Sequence, residues 1–171
     1  MTHSPEQLFA ALDALGILHK TVKHPPLFTV EQSRALRGQI PGGHTKNLFL
    51  RDKKHELYLV VALEDAAIDL KSLHRVLGAS GRFSFGSSDL LCEVWGVEPG
   101  AVTPFGAIND TRSRVNVVLD TAMMEHETLN YHPLVNTMTT SIARGDLVKF
   151  LEATDHLPRI ERLSGPSATA P

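Results

Sequence analysis

Two apolar runs held apart by a short polar segment constrain this chain more than anything else in it. Leu48-Phe49-Leu50 stops at Arg51-Asp52-Lys53-Lys54, and Glu56-Leu57-Tyr58-Leu59-Val60-Val61-Ala62 follows the polar turn Asp52 to His55. Unbroken apolar runs of this length, rich in β-branched and aromatic residues, form strands buried on both faces. A turn so short permits only antiparallel pairing. The spacing therefore predicts a hairpin in the middle of a sheet.

The first strand of that hairpin starts oddly. Lys46 and Asn47 stand where the Pro41-Gly42-Gly43 loop feeds it, and neither residue is cheap to bury. Taken alone, Lys46 is open to the plain reading of an ordinary exposed strand-end lysine. Polar stretches further along the chain argue otherwise.

Around the hairpin the pattern alternates. Ser4-Pro5-Glu6 caps a helix carrying Leu8, Leu12 and Leu15, closed by Gly16. A short strand from Ile17 to His24 ends at Pro25-Pro26, and Thr29-Val30-Glu31-Gln32 resembles a capping box opening a helix to Gly38. Asp69 is expected to cap a helix with Leu70, Leu73 and Leu77, and Arg82 to Phe85 to form a strand with Phe83 and Phe85 on one face. Ser87-Ser88-Asp89 opens a helix burying Leu90, Leu91, Val94 and Trp95. Gly96 to Gly106 is loop, Val115 to Asp120 a central strand, and Thr137 to Ile142 extended. Asp146 to Ala153 is a helix, Arg159 to Leu163 an edge strand, and Ser164 to Pro171 a disordered tail. The class that follows is α+β: one domain over 1–163, with a mixed, mostly antiparallel sheet flanked by helices.

Composition removes several function classes. Net charge is −2 and the pI about 6.5, which argues against coating long duplex nucleic acid but leaves room for a local basic patch. No stretch approaches the roughly 20 apolar residues that cross a bilayer, and Met1-Thr2-His3-Ser4 begins no signal peptide. With a single cysteine, these features point to a reducing cytoplasm. The nine histidines are scattered without ligand spacing, so neither a metal nor another cofactor is expected. Cys92, flanked by Leu90, Leu91 and Val94, reads as a small core residue rather than a nucleophile.

Three polar-rich stretches interrupt the core-and-cap pattern. They are His44-Thr45-Lys46-Asn47, Gly96 to Gly106 followed by Ile108-Asn109-Asp110, and Tyr131 to Thr140. Asn109-Asp110 reads as a turn or strand-end bond network. Gly100 and Pro104 are weak evidence alone, and His132 before a proline serves equally well as a turn cap.

Together, these blocks resemble the YbaK/prolyl-tRNA-synthetase-associated editing domain family. Thr45-Lys46-Asn47-Leu48 is similar to its lysine motif, Gly100-Ala101-Val102-Thr103-Pro104 to its Gly-x-x-x-Pro loop, and His132-Pro133-Leu134 with Asn136-Thr137 to its third block. The resemblance is collinear from the first helix to His156. Details such as His24-Pro25-Pro26 and Pro104-Phe105-Gly106 resemble the alanyl-prolyl-tRNA deacylase branch (ProXp-ala, or PrdX).

That resemblance implies a YbaK-like fold and hydrolysis of the ester joining an amino acid to the terminal ribose of mischarged Ala-tRNA(Pro). It implies catalytic roles for Lys46, Asn47, Gly100 and His132. It implies substrate contacts from Thr45, Ala101, Thr103, Pro104, Phe105, Asn136 and Thr137. Ester hydrolysis needs an activated water, a stabiliser for the oxyanion and a grip on the amino acid. Lys46 suits the carbonyl oxygen or terminal phosphate, and glycine at 100 admits close approach. No acid–base pair stands out, so the substrate's own ribose hydroxyl is expected to help place the water. Partners implied are the tRNA acceptor end, met by basic residues among Lys20, Lys23, Arg51, Lys53, Lys54 and Arg82, and also prolyl-tRNA synthetase or an elongation factor. No membrane partner is expected, and the sequence assigns no oligomeric state. A deacylase for Cys-tRNA or another small amino acid, and a non-catalytic tRNA-binding module, are the alternatives.

Overall fold

Phe49 and Leu50 point to opposite sides of one strand, and the layers of the protein follow that division. The computed structural model describes residues 2–26, 32, 34–35 and 38–164. Its strands are β1 (His19–Lys23), β2 (Gly43–Arg51), β3 (Leu57–Leu63), β4 (Ser84–Phe85), β5 (Val115–Asp120), β6 (Thr128–Tyr131), β7 (Met138–Ala143) and β8 (Arg159–Glu161). Its helices are α1 (Pro5–Ala14), α2 (Leu73–Leu77), α3 (Ser88–Trp95) and α4 (Arg144–Ala153), with 3-10 turns at Pro99–Ala101, Pro104–Ile108 and Met123–Glu125.

The sheet runs β1-β7-β6-β2-β3-β5-β8, with β4 also on β2. Pairs β1–β7, β2–β3, β2–β4 and β6–β7 are antiparallel, whereas β2–β6, β3–β5 and β5–β8 are parallel. The expected hairpin is β2–β3, with Phe49 opposite Leu59 and Leu50 opposite Tyr58. Phe49, Leu59 and Val61 face the main core, where Leu8 and Leu12 of α1, Trp95 of α3 and Phe150 of α4 cover them. Leu50, Tyr58 and Val60 face a smaller core closed by Leu73 and Leu77 of α2. Pleating turns alternate side chains to alternate faces, so each strand of the hairpin serves both cores.

Several elements differ from the sequence expectation. The helix placed after Asp69 begins only at Leu73; the Asp69 carboxylate instead caps the preceding turn, accepting from the Lys71 amide and the Ser72 hydroxyl. The strand expected from Arg82 shrinks to Ser84–Phe85 between Gly81 and Gly86. There Phe83 packs edge-on against Tyr58 at 5.0 Å while Phe85 stays exposed. Strand β6 falls where the sequence assigned no element. The helix expected from Thr29 falls largely outside the described residues, as does the tail from 165 onward. Ser164 is described, and its hydroxyl donates to Asp120.

Three buried aspartates tie the loops to this frame. Asp120 accepts from the Leu163 and Ser164 amides. Asp110 accepts from the Val115 amide and from His156 Nε2, both at 2.9 Å. Asp52 accepts from the amides of Lys54, Glu56 and Ser80, fastening the hairpin turn to the approach to β4. A buried carboxylate is tolerated when backbone N–H groups surround it in this way.

Burial pushes the Asp52 carboxyl up, but the amides of Ser80, Glu56 and Lys54 outweigh it, so its pKa lies below the ordinary 3.8. A depressed carboxyl contributes stability that is fully present above its unfolded pKa and is lost as pH falls through the folded value. Asp52→Asn should therefore cost about 1–3 kcal/mol in urea unfolding at pH 7. The gap to the parent protein should narrow steadily below pH ~4. A gap that holds at pH ~2.5 would show that the amide bonds do not depend on the charge.

Candidate active site

Strand β2 is where the sheet divides, and the division opens a gap. One edge pairs β3 from Thr45 to Arg51, and the His44 carbonyl on that edge accepts from the Glu64 amide. The other edge meets β6 only at Gly43 and His44, and β4 only at Leu50 and Arg51. Backbone polar groups alternate between edges along a strand. The Phe49 carbonyl turns toward the β4 side, where it accepts from the Gly86 amide, so Asn47 turns the same way. The N–H and C=O of Asn47 thus face an edge with no ladder partner among the described residues. Its Oδ1 is buried without a hydrogen bond as well. Buried acceptors are nearly always paired, so the unpaired Oδ1 makes Asn47 a candidate ligand contact.

Lys46 and Asn47 project to opposite faces of β2: Lys46 pairs with Ala62 and Asn47 with Val61. Lys46 is half-buried, and its Nζ donates to the Ala66 carbonyl at 2.6 Å. That bond uses one of three ammonium protons. Thr45 stitches the strands just before they part, its hydroxyl donating to the Asn130 carbonyl at 2.7 Å. The parallel β2–β6 pairing ends at His44 and Asn130, and His132 follows directly on the last residue of β6.

His132 is half-buried, and its Nδ1 lies 3.0 Å from the Met138 carbonyl. A carbonyl only accepts, so Nδ1 carries the hydrogen. Burial lowers the pKa of His132; the Met138 bond opposes this and charge on His24 adds to it. The ring is therefore neutral near pH 7, and its Nε2 offers a lone pair with no partner among the described residues.

The glycine loop divides into an accessible tip and a buried root. Gly100 is exposed, and a Cβ there would come within 3.2 Å of Asn136 Nδ2, so the second and third polar stretches meet at this point. Ala101, Thr103, Pro104 and Phe105 are buried. Thr103 caps the following 3-10 turn, and its carbonyl accepts from Trp95 Nε1 at 2.6 Å. Phe105 packs against Tyr131 and Phe150. The side chains of Ala101, Thr103, Pro104 and Phe105 pack into the protein, while Gly100 stands exposed at the tip of the loop. Thr137 is exposed, and its carbonyl accepts from the His24 amide.

The sequence pattern missed His24 and Thr139. His24 Nε2 lies 2.8 Å from Thr139 Oγ1, and its ring centroid 6.3 Å from that of His132. The local signals were a histidine ending a strand before two prolines, which the branch resemblance also carries, and the place of Thr139 within the third polar stretch. Asn109 and Asp110 prove to be structural: Asn109 Nδ2 donates to the Trp95 carbonyl, and Asp110 holds His156. Cys92 donates weakly to the Val97 carbonyl, and burial, then Glu98, push its thiol pKa up, so the thiol stays protonated and unreactive. Among the described residues no cluster of three or more His, Cys, Asp and Glu side chains could hold a metal, and no helix is long and apolar enough to cross a membrane.

Comparison with known proteins bears on this geometry. Residues 24–150 match the aminoacyl-tRNA editing domain family. Prolyl-tRNA synthetase associated domain-containing protein 1 of Mus musculus is 37% identical over 158 residues, covering 90% of this chain and 93% of that protein. The prolyl-tRNA editing protein ProX of Acetoanaerobium sticklandii is 36% identical over 149 residues, covering 86% of this chain and 90% of that protein. A crystal structure described as a candidate trans-editing enzyme for prolyl tRNA synthetase has a TM-score of 0.74 at 18% identity, over 97% of this chain and 99% of that one. At that identity the likeness shows the fold.

An unpaired buried acceptor lowers stability, so a residue kept for a ligand should be improvable by removal. Asn47→Val, which deletes Oδ1 and favours strand, is expected to gain about 1 kcal/mol. That corresponds to about 2–4 °C in Tm for a chain of this size. A thermal melt in which this variant loses stability would show that Asn47 serves the fold.

Proposed function

The chain belongs to the aminoacyl-tRNA editing domain family, and from that premise we propose that it acts in trans, hydrolysing the ester of mischarged Ala-tRNA(Pro). The observation that carries this reading is the edge of β2 left open among the described residues, where Asn47 has a buried Oδ1 without a hydrogen bond, with Lys46 beside it in sequence. An aminoacyl ester brings the complementary set: an ammonium, a carbonyl and ribose hydroxyls.

In this mechanism the substrate enters the gap between β2 and β6. Asn47 takes the amino group or a ribose hydroxyl through its free acceptors. The Lys46 ammonium, held on the Ala66 carbonyl, presents its remaining protons to the ester carbonyl oxygen, which gathers negative charge as water attacks. Gly100 lets the loop backbone approach the amino acid, where any side chain would press on Asn136. The neutral His132 accepts from water or ribose at Nε2, and the substrate's free hydroxyl completes the positioning. Selection of alanine rests on size: a larger side chain is excluded by clash, whereas one methylene less changes preference by only about 1–3 kcal/mol.

Arg51, Lys53, Lys54 and Arg82 gather about the β2–β3 turn at one end of the open edge, and they are the proposed contacts to the acceptor stem. Lys20 and Lys23 lie apart on β1. A cytoplasmic location follows from this substrate, with prolyl-tRNA synthetase or an elongation factor as further proposed partners.

The test is a deacylation panel of Ala-, Pro-, Cys- and Ser-charged tRNA(Pro) alongside Ala-tRNA(Ala). Ala-tRNA(Pro) should be hydrolysed fastest; preference for the Cys-charged form would reassign the substrate, and hydrolysis of none would leave a binding module. Lys46→Ala is expected to lower kcat/KM about 10²–10³-fold, the usual consequence of losing one oxyanion donor. Its Tm should fall only slightly, since a single half-exposed hydrogen bond contributes about 1 kcal/mol. Wild-type turnover by this variant would remove Lys46 from the mechanism.

A further inference from the structure

We propose that His24 is a positioning residue of this site, fixing the segment of β7 from which His132 hangs and thereby setting where His132 Nε2 points. The inference rests on the deacylase reading above and adds to it a residue outside all three motif blocks.

His24 follows the last residue of β1, and its amide extends the β1–β7 ladder by donating to the Thr137 carbonyl at 2.9 Å. Its ring makes two further bonds. Nδ1 lies 2.9 Å from the Pro25 carbonyl, which can only accept, so Nδ1 carries a hydrogen. In the neutral ring Nε2 is then an acceptor, and the buried Thr139 hydroxyl donates to it at 2.8 Å. His24 therefore grips β7 at 137 through its backbone and at 139 through its ring. His132 donates to the carbonyl of the residue between them, Met138. The two rings face one another at 6.3 Å, inclined by 53°. Both imidazoles are thus referenced to one three-residue span, and releasing one end of that span frees the other ring to turn.

Three substitutions separate this role from mere closure of β1. Glutamine at 24 can return an acceptor near the position of Nε2, whereas asparagine reaches only as far as Nδ1. With Ala-charged tRNA(Pro) as substrate, His24→Ala and His24→Asn should lower kcat about 10- to 100-fold, the scale of an ångström-sized misplacement, with KM little changed. His24→Gln should restore most of the rate, and Thr139→Val should reproduce the loss. Combining Thr139→Val with His24→Ala should add nothing further, as expected for two residues acting through one bond.

Full activity in His24→Ala, a rate in His24→Gln as low as in His24→Ala, or additive losses in the double variant would each overturn the inference while leaving the deacylase reading intact. Wild-type protein that deacylates none of the charged tRNAs would overturn both.

Discussion

Nine residues of β2 meet three strands, and the unequal length of those pairings governs the rest of the structure. β3 runs alongside most of the strand, whereas β6 and β4 touch only its two ends from the other side. Between them lies a stretch of core strand with one edge unpaired among the described residues. Elsewhere in a folded protein such an edge is covered, because a backbone amide or carbonyl buried without a partner costs as much as a lost hydrogen bond. Here Lys46 and Asn47, at the head of the strand, stand on that stretch.

A gap in a sheet persists only if its walls cannot relax into it. The buried carboxylates hold those walls. Asp52 fixes the hairpin turn below the gap, and Asp110 with His156 fixes the chain between the glycine loop and β5. On the far side Asn130 donates to the Pro41 and Gly43 carbonyls, with its Oδ1 taking the Ser141 hydroxyl. These bonds join loops to strands rather than strands to each other. They act where the ladder itself provides no hold.

Much of this was legible in the residues, and what was not has a physical cause. The hairpin, the Ser4 cap, the helix start at Ser87 and the glycine stop at 16 are local signals, and each appears as expected. Strand β6 was obscured because Asn130 sits inside it as a hydrogen-bonding hub, so the run lacks the apolar signature of a buried strand. Thr103 and Phe105 stand in a motif yet turn inward, since a motif marks a segment and not the direction of each side chain. His24 could not be found by spacing, because its partner Thr139 is 115 positions away and is brought near only by β1–β7 pairing. The open edge of β2 is hidden for the same reason: nothing in a strand's own residues says where its neighbour stops.

Trp95 is the chain's only tryptophan, and it is completely buried at the root of the glycine loop. Its indole donates to Thr103, packs against His156 at 5.6 Å and lies so near Gly106 that a Cβ there would be 2.1 Å from the ring. The molecule therefore carries a built-in optical reporter where α3 meets the glycine loop. With 295 nm excitation the emission comes from one known place, blue-shifted by its dry surroundings, and any event that tugs on Thr103 alters its brightness.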